Sequence, residues 1–170
     1  MPVEIERKFL VKNDDWRSAA DGGNRLRQGY IVGEDRCDVR IRIPSDGQCT
    51  LTVKLAKTGI SRFEFEHSVE LPEAEGLMEL CEGAILDKTR FKVHHQGLTW
   101  EIDVYAGANA GLTVAEIELG SEGQDFERPS WLGGEITGQK RYKNAMLSRQ
   151  PYTTWPDALD PTREDANASA

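Results

Sequence analysis

The sequence predicts a mainly-β fold: an antiparallel sheet closed into a barrel or folded into a sandwich, with a few peripheral helices. Three observations carry that reading. About eight segments alternate charged or polar residues with apolar ones, which is the period of a strand. They follow at short spacing, punctuated as turns by Gly47, Gly59, Gly97 and the stretch 107–111. Within most segments the charges gather on one parity, giving the strand an ionic face and an apolar face.

The first strand is expected at 3–11, where Glu4, Glu6 and Lys8 share a face opposite Ile5 and Phe9. Asn13-Asp14-Asp15-Trp16 reads as a cap and a short helix ending near Gly22-Gly23. Strands follow at 26–32, at 37–43 with Arg40 and Arg42 on one face, and at 50–55 with Lys54. The strand at 61–71 sets Arg62, Glu64 and Glu66 against Phe63 and Phe65. A helix fits 73–81, after Pro72. Three more strands complete the set: 85–94 with Lys88 and Arg90, 99–105 with Glu101 and Asp103, and 112–119 with Glu116 and Glu118. Gly133-Gly134 reads as a hinge before a last helix at 140–148, where Tyr142, Ala145 and Met146 form a modest apolar stripe. Residues 151–170 are rich in Pro, Asp, Ala, Asn and Ser and are expected to be a flexible tail beyond a single domain, 1–150.

At 170 residues the chain is long enough for one domain with a real core. A net charge of -8 argues against a duplex nucleic-acid platform but leaves room for a local basic cluster that binds a small polyanion. The start, Met1-Pro2-Val3-Glu4, lacks the basic and apolar regions of a secretory signal, and no apolar run spans a bilayer. The expectation is a cytoplasmic protein with neither membrane nor nucleic acid as partner. Cys37, Cys49 and Cys81 are odd in number and lack zinc-ligand spacing, so three reduced cysteines are expected. His67, His94 and His95 form no ligand constellation with the acids; His67 shares parity with Phe63 and Phe65, and Trp100 with Ile102, which reads as surface or packing.

The ionic faces decide the functional reading. Antiparallel sheets often turn a polar face to water. Here, however, acid pairs and basic pairs occupy separate strands. Same-face neighbours lie roughly 6.5 Å apart, and like charges at that distance repel by about 0.6 kcal/mol in water and about 2.5 kcal/mol at an effective dielectric near 20. Closing the sheet with the ionic face inward gives a hydrophilic tunnel with acidic and basic walls. The carboxylates suit a hard cation such as Mg2+ or Mn2+, and Lys and Arg suit phosphate. Both walls in one cavity point to a metal-bound polyphosphate. The apolar face then needs helices or a second subunit to cover it, which makes a homodimer a reasonable expectation.

These residues resemble the CYTH superfamily, the triphosphate tunnel metalloenzymes. Its Glu-x-Glu-x-Lys signature stands here as Glu4, Glu6 and Lys8. The likeness runs through Gln28-Gly29-Tyr30, Arg40-Ile41-Arg42, Thr52-Val53-Lys54, Arg62-Phe63-Glu64-Phe65-Glu66, Lys88-Thr89-Arg90, Glu101-Ile102-Asp103, Glu116-Ile117-Glu118 and the segment 137–144, spanning 3–147. The resemblance implies an eight-stranded antiparallel closed β-barrel tunnel with a charged interior, two divalent cations and a triphosphate substrate. By position, Lys8, Arg40, Arg42, Lys54, Lys88 and Arg90 correspond to the phosphate-binding set, and Glu4, Glu6, Glu101, Asp103, Glu116 and Glu118 to the metal and water set. Glu4, Glu6 and Lys8 stand nearest the chemistry. Lys140 is expected to reach phosphate from the segment that closes one tunnel end, and Tyr30, Arg62, Glu64 and Glu66 are further tunnel candidates. The compact bacterial members imply hydrolysis of inorganic tripolyphosphate to pyrophosphate and phosphate. The alternatives are an adenylate cyclase of class IV type, a thiamine or nucleoside triphosphatase, and a non-catalytic polyphosphate-binding module.

Overall fold

A computed structural model describes residues 3–33, 36–57, 61–156 and 158 of the chain. Its strands are β1 (Val3–Val11), β2 (Asn24–Gly33), β3 (Cys37–Pro44), β4 (Cys49–Ala56), β5 (Ser61–Val69), β6 (Glu82–His95), β7 (Leu98–Ala106), β8 (Thr113–Glu118) and β9 (Leu132–Glu135). Two α-helices, α1 (Leu71–Glu79) and α2 (Asn144–Arg149), accompany them. The strands pair antiparallel in the order β5-β4-β3-β2-β6-β7-β8-β1, and β1 then pairs with β5. That last pairing closes an eight-stranded barrel and excludes the sandwich.

β1 is the closing strand because its second edge is shared. Glu6–Leu10 pair with β8. On the other edge Val3–Ile5 pair with β5, and Phe9–Val11 pair with β9. This ninth strand replaces the hinge expected at Gly133-Gly134. A Cβ on Gly133 would lie 2.9 Å from the Leu10 carbonyl oxygen, so the glycine serves close backbone approach and not bending.

The outward apolar face is covered by the chain itself over much of its area. Above β1, β6, β7 and β8, the residues Phe9, Val93, Trp100, Ile102 and Ile117 pack with Trp16 and with Trp131. Trp16 comes from a 3-10 turn, Asp15–Ala19, where a short helix is expected. Trp100 stacks edge-on with Phe9, Phe126 and Trp131, which is the packing role its parity predicts. Above β3, β4 and β5, α1 lays Ala74 and Met78 over Ile41, Ile43, Cys49 and Val69. Helix α1 begins at Leu71, two residues before the expected start, because proline is tolerated in a helix's first turn and Pro72 sits there. Gly29 lets the end of α1 close in: a Cβ there would meet Cys81 Sγ at 2.5 Å and Met78 Sδ at 2.8 Å. All three cysteines are free thiols.

The barrel interior changes character along its length. At one end the inward positions turn apolar, with Leu10, Tyr30, Leu86, Tyr105 and Val114. Ala145 and Leu147 of α2 pack on them together with Ile136 and Tyr142, so α2 plugs that end. The expected helix at 140–148 is in fact a 3-10 turn (Lys140–Tyr142), an extended Lys143 and then α2. The chain stays docked past residue 151, where the tail was expected to begin. Tyr152–Thr154 form a 3-10 turn, and Trp155 is buried, with the Arg141 guanidinium 3.7 Å from its ring centroid. The expected tail beyond 158 lies outside the described residues. Among the described residues no helix is long and apolar enough to cross a membrane.

Candidate active site

Strand register brings the ionic residues to one lumen. Glu6 stands opposite Glu118 and Lys8 opposite Glu116 across β1 and β8. Glu101 stands opposite Glu116 across β7 and β8, Lys54 opposite Glu64 across β4 and β5, and Glu4 opposite Arg62 across β1 and β5. Two of these are acid facing acid, a pairing that destabilises a sheet unless something nearby compensates it. The lumen is a cavity of about 480 Å³ lined by Glu4, Glu6, Glu64, Glu101, Glu116 and Glu118 and by Lys8, Arg40, Arg42, Lys54, Arg90 and Lys92. Exposed Lys92 and Thr99 mark its open mouth, and Asn144 of α2 its closed end. A smaller chamber of about 140 Å³ opens off it beside α2, reached by Tyr30, Asp38, Arg62 and Lys143.

Most of the charges are paired across the lumen. Lys8 Nζ donates to Glu116 Oε1 at 2.6 Å and lies 2.9 Å from Glu6 Oε1. Burial pulls the Lys8 ammonium down, but Glu116 and Glu6 outweigh it and hold it well above its usual value. Burial likewise opposes the charge on Glu116, yet Lys8, Arg90 and Lys88 keep it well below the carboxylate range. Lys54 Nζ bridges Glu4 at 2.5 Å and Glu64 at 2.8 Å. Arg90 grips Asp103 with Nε and Nη2, both at 2.7 Å, and reaches Glu116 at 2.9 Å and Glu101 as well.

Two arginines and one acid break this pattern. Arg40 is buried, its Nε has no hydrogen-bond partner, and its nearest carboxylate, Glu64, is 3.7 Å away. Arg42 donates through Nε to the amide oxygen of Gln28 at 3.2 Å and has no carboxylate partner among the described residues. Burial, reinforced by the like charges of Arg40 and Arg90, lowers the Arg42 guanidinium to about 10. On the acidic wall, Glu118 has no ion pair among the described residues. Burial raises its carboxyl, and the neighbouring Glu4, Glu6, Glu64 and Glu101 push it further up. The lumen therefore holds unused donors on one wall and uncompensated negative charge on the other.

Not every expected site residue reaches the cavity. Lys88 and Asp103 have no exposed surface and line neither chamber; Lys88 Nζ is 2.5 Å from Asp103 Oδ2, beneath Arg90. They support the floor and do not face the lumen, in place of the expected phosphate and metal contacts. Glu66 is exposed and accepts from Thr52 Oγ1 at 3.3 Å. Lys140 lines a separate surface pocket with Asp38, Lys143 and Arg149, and of the two lysines Lys143 also lines the small chamber. Tyr30 and Arg62 line that chamber too, and Tyr30 accepts from Gln28 Nε2 at 2.9 Å. His67, His94 and His95 line neither chamber. Sequence reasoning missed Asp38, Lys92, Thr99 and Asn144. The first three share parity with Arg40, Arg90 and Glu101, a signal that was there to read.

Among the described residues no three acidic, histidine or cysteine side chains converge as a ready metal cage. The donor chemistry nevertheless fits a divalent cation that takes oxygen ligands. Glu4, Glu6 and Glu118 supply carboxylate oxygens on neighbouring strand positions, and Glu118 lacks a cation. The six acids and six bases that line the lumen balance, so the negative charge of an entering polyphosphate exceeds what these side chains offset and favours a cation brought in with it.

Comparison with known proteins agrees with this geometry. The CYTH domain family matches residues 2–151. An inorganic triphosphatase of Acetivibrio thermocellus is 43% identical over 158 residues, covering 92% of this chain and 100% of that protein. An inorganic triphosphatase of Nitrosomonas europaea is 37% identical over 153 residues, covering 86% of this chain and 97% of that protein. The crystal structure of the inorganic triphosphatase NE1496 shares the fold with a TM-score of 0.61 at 35% identity, over 87% of this chain and 95% of that one. With a match that runs from the first strand to beyond α2, this chain belongs to the CYTH domain family.

Proposed function

We propose that this protein hydrolyses inorganic tripolyphosphate to pyrophosphate and orthophosphate, in a reaction that depends on a divalent cation. The observation that carries this reading is the state of the lumen walls: Arg40 and Arg42 face the cavity with unused donors, opposite a Glu118 crowded by other carboxylates. The names of the relatives at 43% and 37% identity support water, not a ribose hydroxyl, as the nucleophile.

Glu4, Glu6 and Glu118 are the residues that would hold the cation, with Mg2+ and Mn2+ both suited to such oxygen donors. When bound, it would neutralise charge on the phosphate oxygens. Arg40, Arg42 and Arg90 bind and orient the phosphates, and their fixed positive charge stabilises the transferring group; this electrostatic contribution usually dominates phosphoryl transfer. Asp103 and Glu101 hold the Arg90 guanidinium in place before substrate arrives. Lys8, fixed between Glu6 and Glu116, keeps its proton and stays a cation at the acidic wall. Carboxylate oxygens of Glu4 and Glu6 accept hydrogen bonds from the attacking water and orient it. The α2 plug keeps bulk solvent from one end of the site.

A panel assay tests the reading: tripolyphosphate, ATP and thiamine triphosphate, each with Mg2+ and with Mn2+, with released products identified. Tripolyphosphate should be the best substrate and give equal pyrophosphate and orthophosphate. Cyclic nucleotide from ATP, or tight binding of tripolyphosphate without turnover, would contradict it.

A further inference from the structure

The closed end of the cavity presents a polar group that the ionic walls do not account for. Asn144 opens α2, is 8% exposed and lines both chambers. Its Oδ1 accepts a hydrogen bond from the Tyr105 hydroxyl at 2.5 Å. Tyr105 is itself buried on β7, within the apolar cluster that receives α2. Burial, with Asp103 and Glu116 adding to it, pushes the Tyr105 phenol well above its usual value, so it remains a proton donor. Among the described residues Asn144 Oδ1 is the one acceptor this buried hydroxyl finds, and satisfying it fixes which way the Asn144 amide points. Nδ2, with two hydrogens, is then the part of the amide left to face the chambers. Among the described residues the hydrogen bond from Tyr105 is the one that the Asn144 side chain makes.

We propose that Asn144 is a substrate-binding residue whose Nδ2 donates to a non-bridging oxygen of the phosphate at the closed end of the tunnel, and that Tyr105 is its positioning residue. The inference rests on the reading of the ligand as a tripolyphosphate. The reversed amide would present a carbonyl oxygen to that anion and leave the buried Tyr105 hydrogen without its acceptor, so Tyr105 disfavours it.

The test uses the full chain and two readouts: calorimetric binding of imidotriphosphate with Mg2+ present, and steady-state hydrolysis of tripolyphosphate. Asn144→Asp keeps the shape and replaces the donor with an anion; it should weaken imidotriphosphate binding by about 100-fold, and Asn144→Ala by about tenfold. Tyr105→Phe should raise KM about three- to tenfold with a smaller change in kcat. In the Asn144→Ala background the same change should cost less than about twofold, because the group it positions is gone. Wild-type binding by Asn144→Asp, or multiplying effects of Asn144→Ala and Tyr105→Phe, would overturn the proposal. Should Tyr105→Phe melt early, the Asp and Ala variants decide alone. Wild-type protein that binds imidotriphosphate yet hydrolyses no tripolyphosphate would instead sink the hydrolase reading, and the Asn144→Asp binding comparison would still decide this one.

Discussion

Replacing Arg42 with alanine separates a binding residue from a structural one. The fall of the guanidinium to about 10 means that holding its charge in the lumen costs the fold at most about 3 kcal/mol. Removing the side chain relieves that cost. Against it stands Gln28, fully buried, whose amide oxygen loses its donor at a cost of about 1–3 kcal/mol unless water in the cavity replaces it. The two nearly cancel, and for a chain of this size about 1 kcal/mol moves Tm by roughly 2–4 °C. The expected Tm therefore stays level or rises by a few degrees. Binding should respond oppositely. A charge-assisted hydrogen bond to phosphate contributes about 1.5–3 kcal/mol, so losing one or two lowers kcat/KM for tripolyphosphate by about 10²- to 10³-fold. Thermal melting and a phosphate-release assay on the same preparation decide the matter. A Tm loss of about 5 °C or more with KM unchanged would refute the reasoning, since Arg42 would then be holding the barrel together.

Asp103→Ala should behave in the opposite way, destabilising the protein by about 3–5 kcal/mol in urea unfolding, because it leaves Lys88 and Arg90 without their shared buried carboxylate. Lys88 supplies a pH signature. Burial, only partly offset by Asp103, lowers its ammonium to about 8, so between pH 8 and the unfolded value of 10.5 the folded state binds fewer protons than the unfolded one. Stability relative to Lys88→Met should then rise with pH across that window by about 3 kcal/mol, and a flat difference would mean that Lys88 stays charged throughout. Glu6→Gln should lower cation-supported turnover by about two orders of magnitude or more while the melting temperature changes little; unchanged turnover across a Mg2+ titration would remove Glu6 from the acidic wall.

The barrel was legible in the sequence because its inside-out charge pattern repeats on seven of its eight strands, β2 excepted. Like charges at the same parity, as in Arg40 with Arg42 and Glu116 with Glu118, made an enclosed lumen preferable to a solvated face, and the register bears this out. Depth along the lumen was not legible. Lys88 and Asp103 share parity with Arg90 and Glu101, but they stand one inward position deeper on their strands, fully buried, where Lys88 is opposite Tyr105. A hint was present: Leu86, inward on β6 next to Lys88, and Val114, opposite Asp103 on β8, mark where the ionic alternation lapses into the apolar plug. The ninth strand escaped notice because Leu132-Gly133-Gly134-Glu135 has no alternation, and its pairing depends on an edge that β5 leaves open. Lys143, to which no role was assigned, lines the small chamber where Lys140 was expected, because the extended Lys143 interrupts the helix predicted over 140–148 before α2 begins.

Crystals grown with Mn2+ and imidotriphosphate, measured at the manganese absorption edge, address the enclosed lumen directly. The account predicts an anomalous peak coordinated by at least two of Glu4, Glu6 and Glu118, with phosphate oxygens within hydrogen-bonding distance of Arg40 and Arg42. Ordered phosphate and manganese bound to the barrel exterior, with the lumen holding only water, would contradict it.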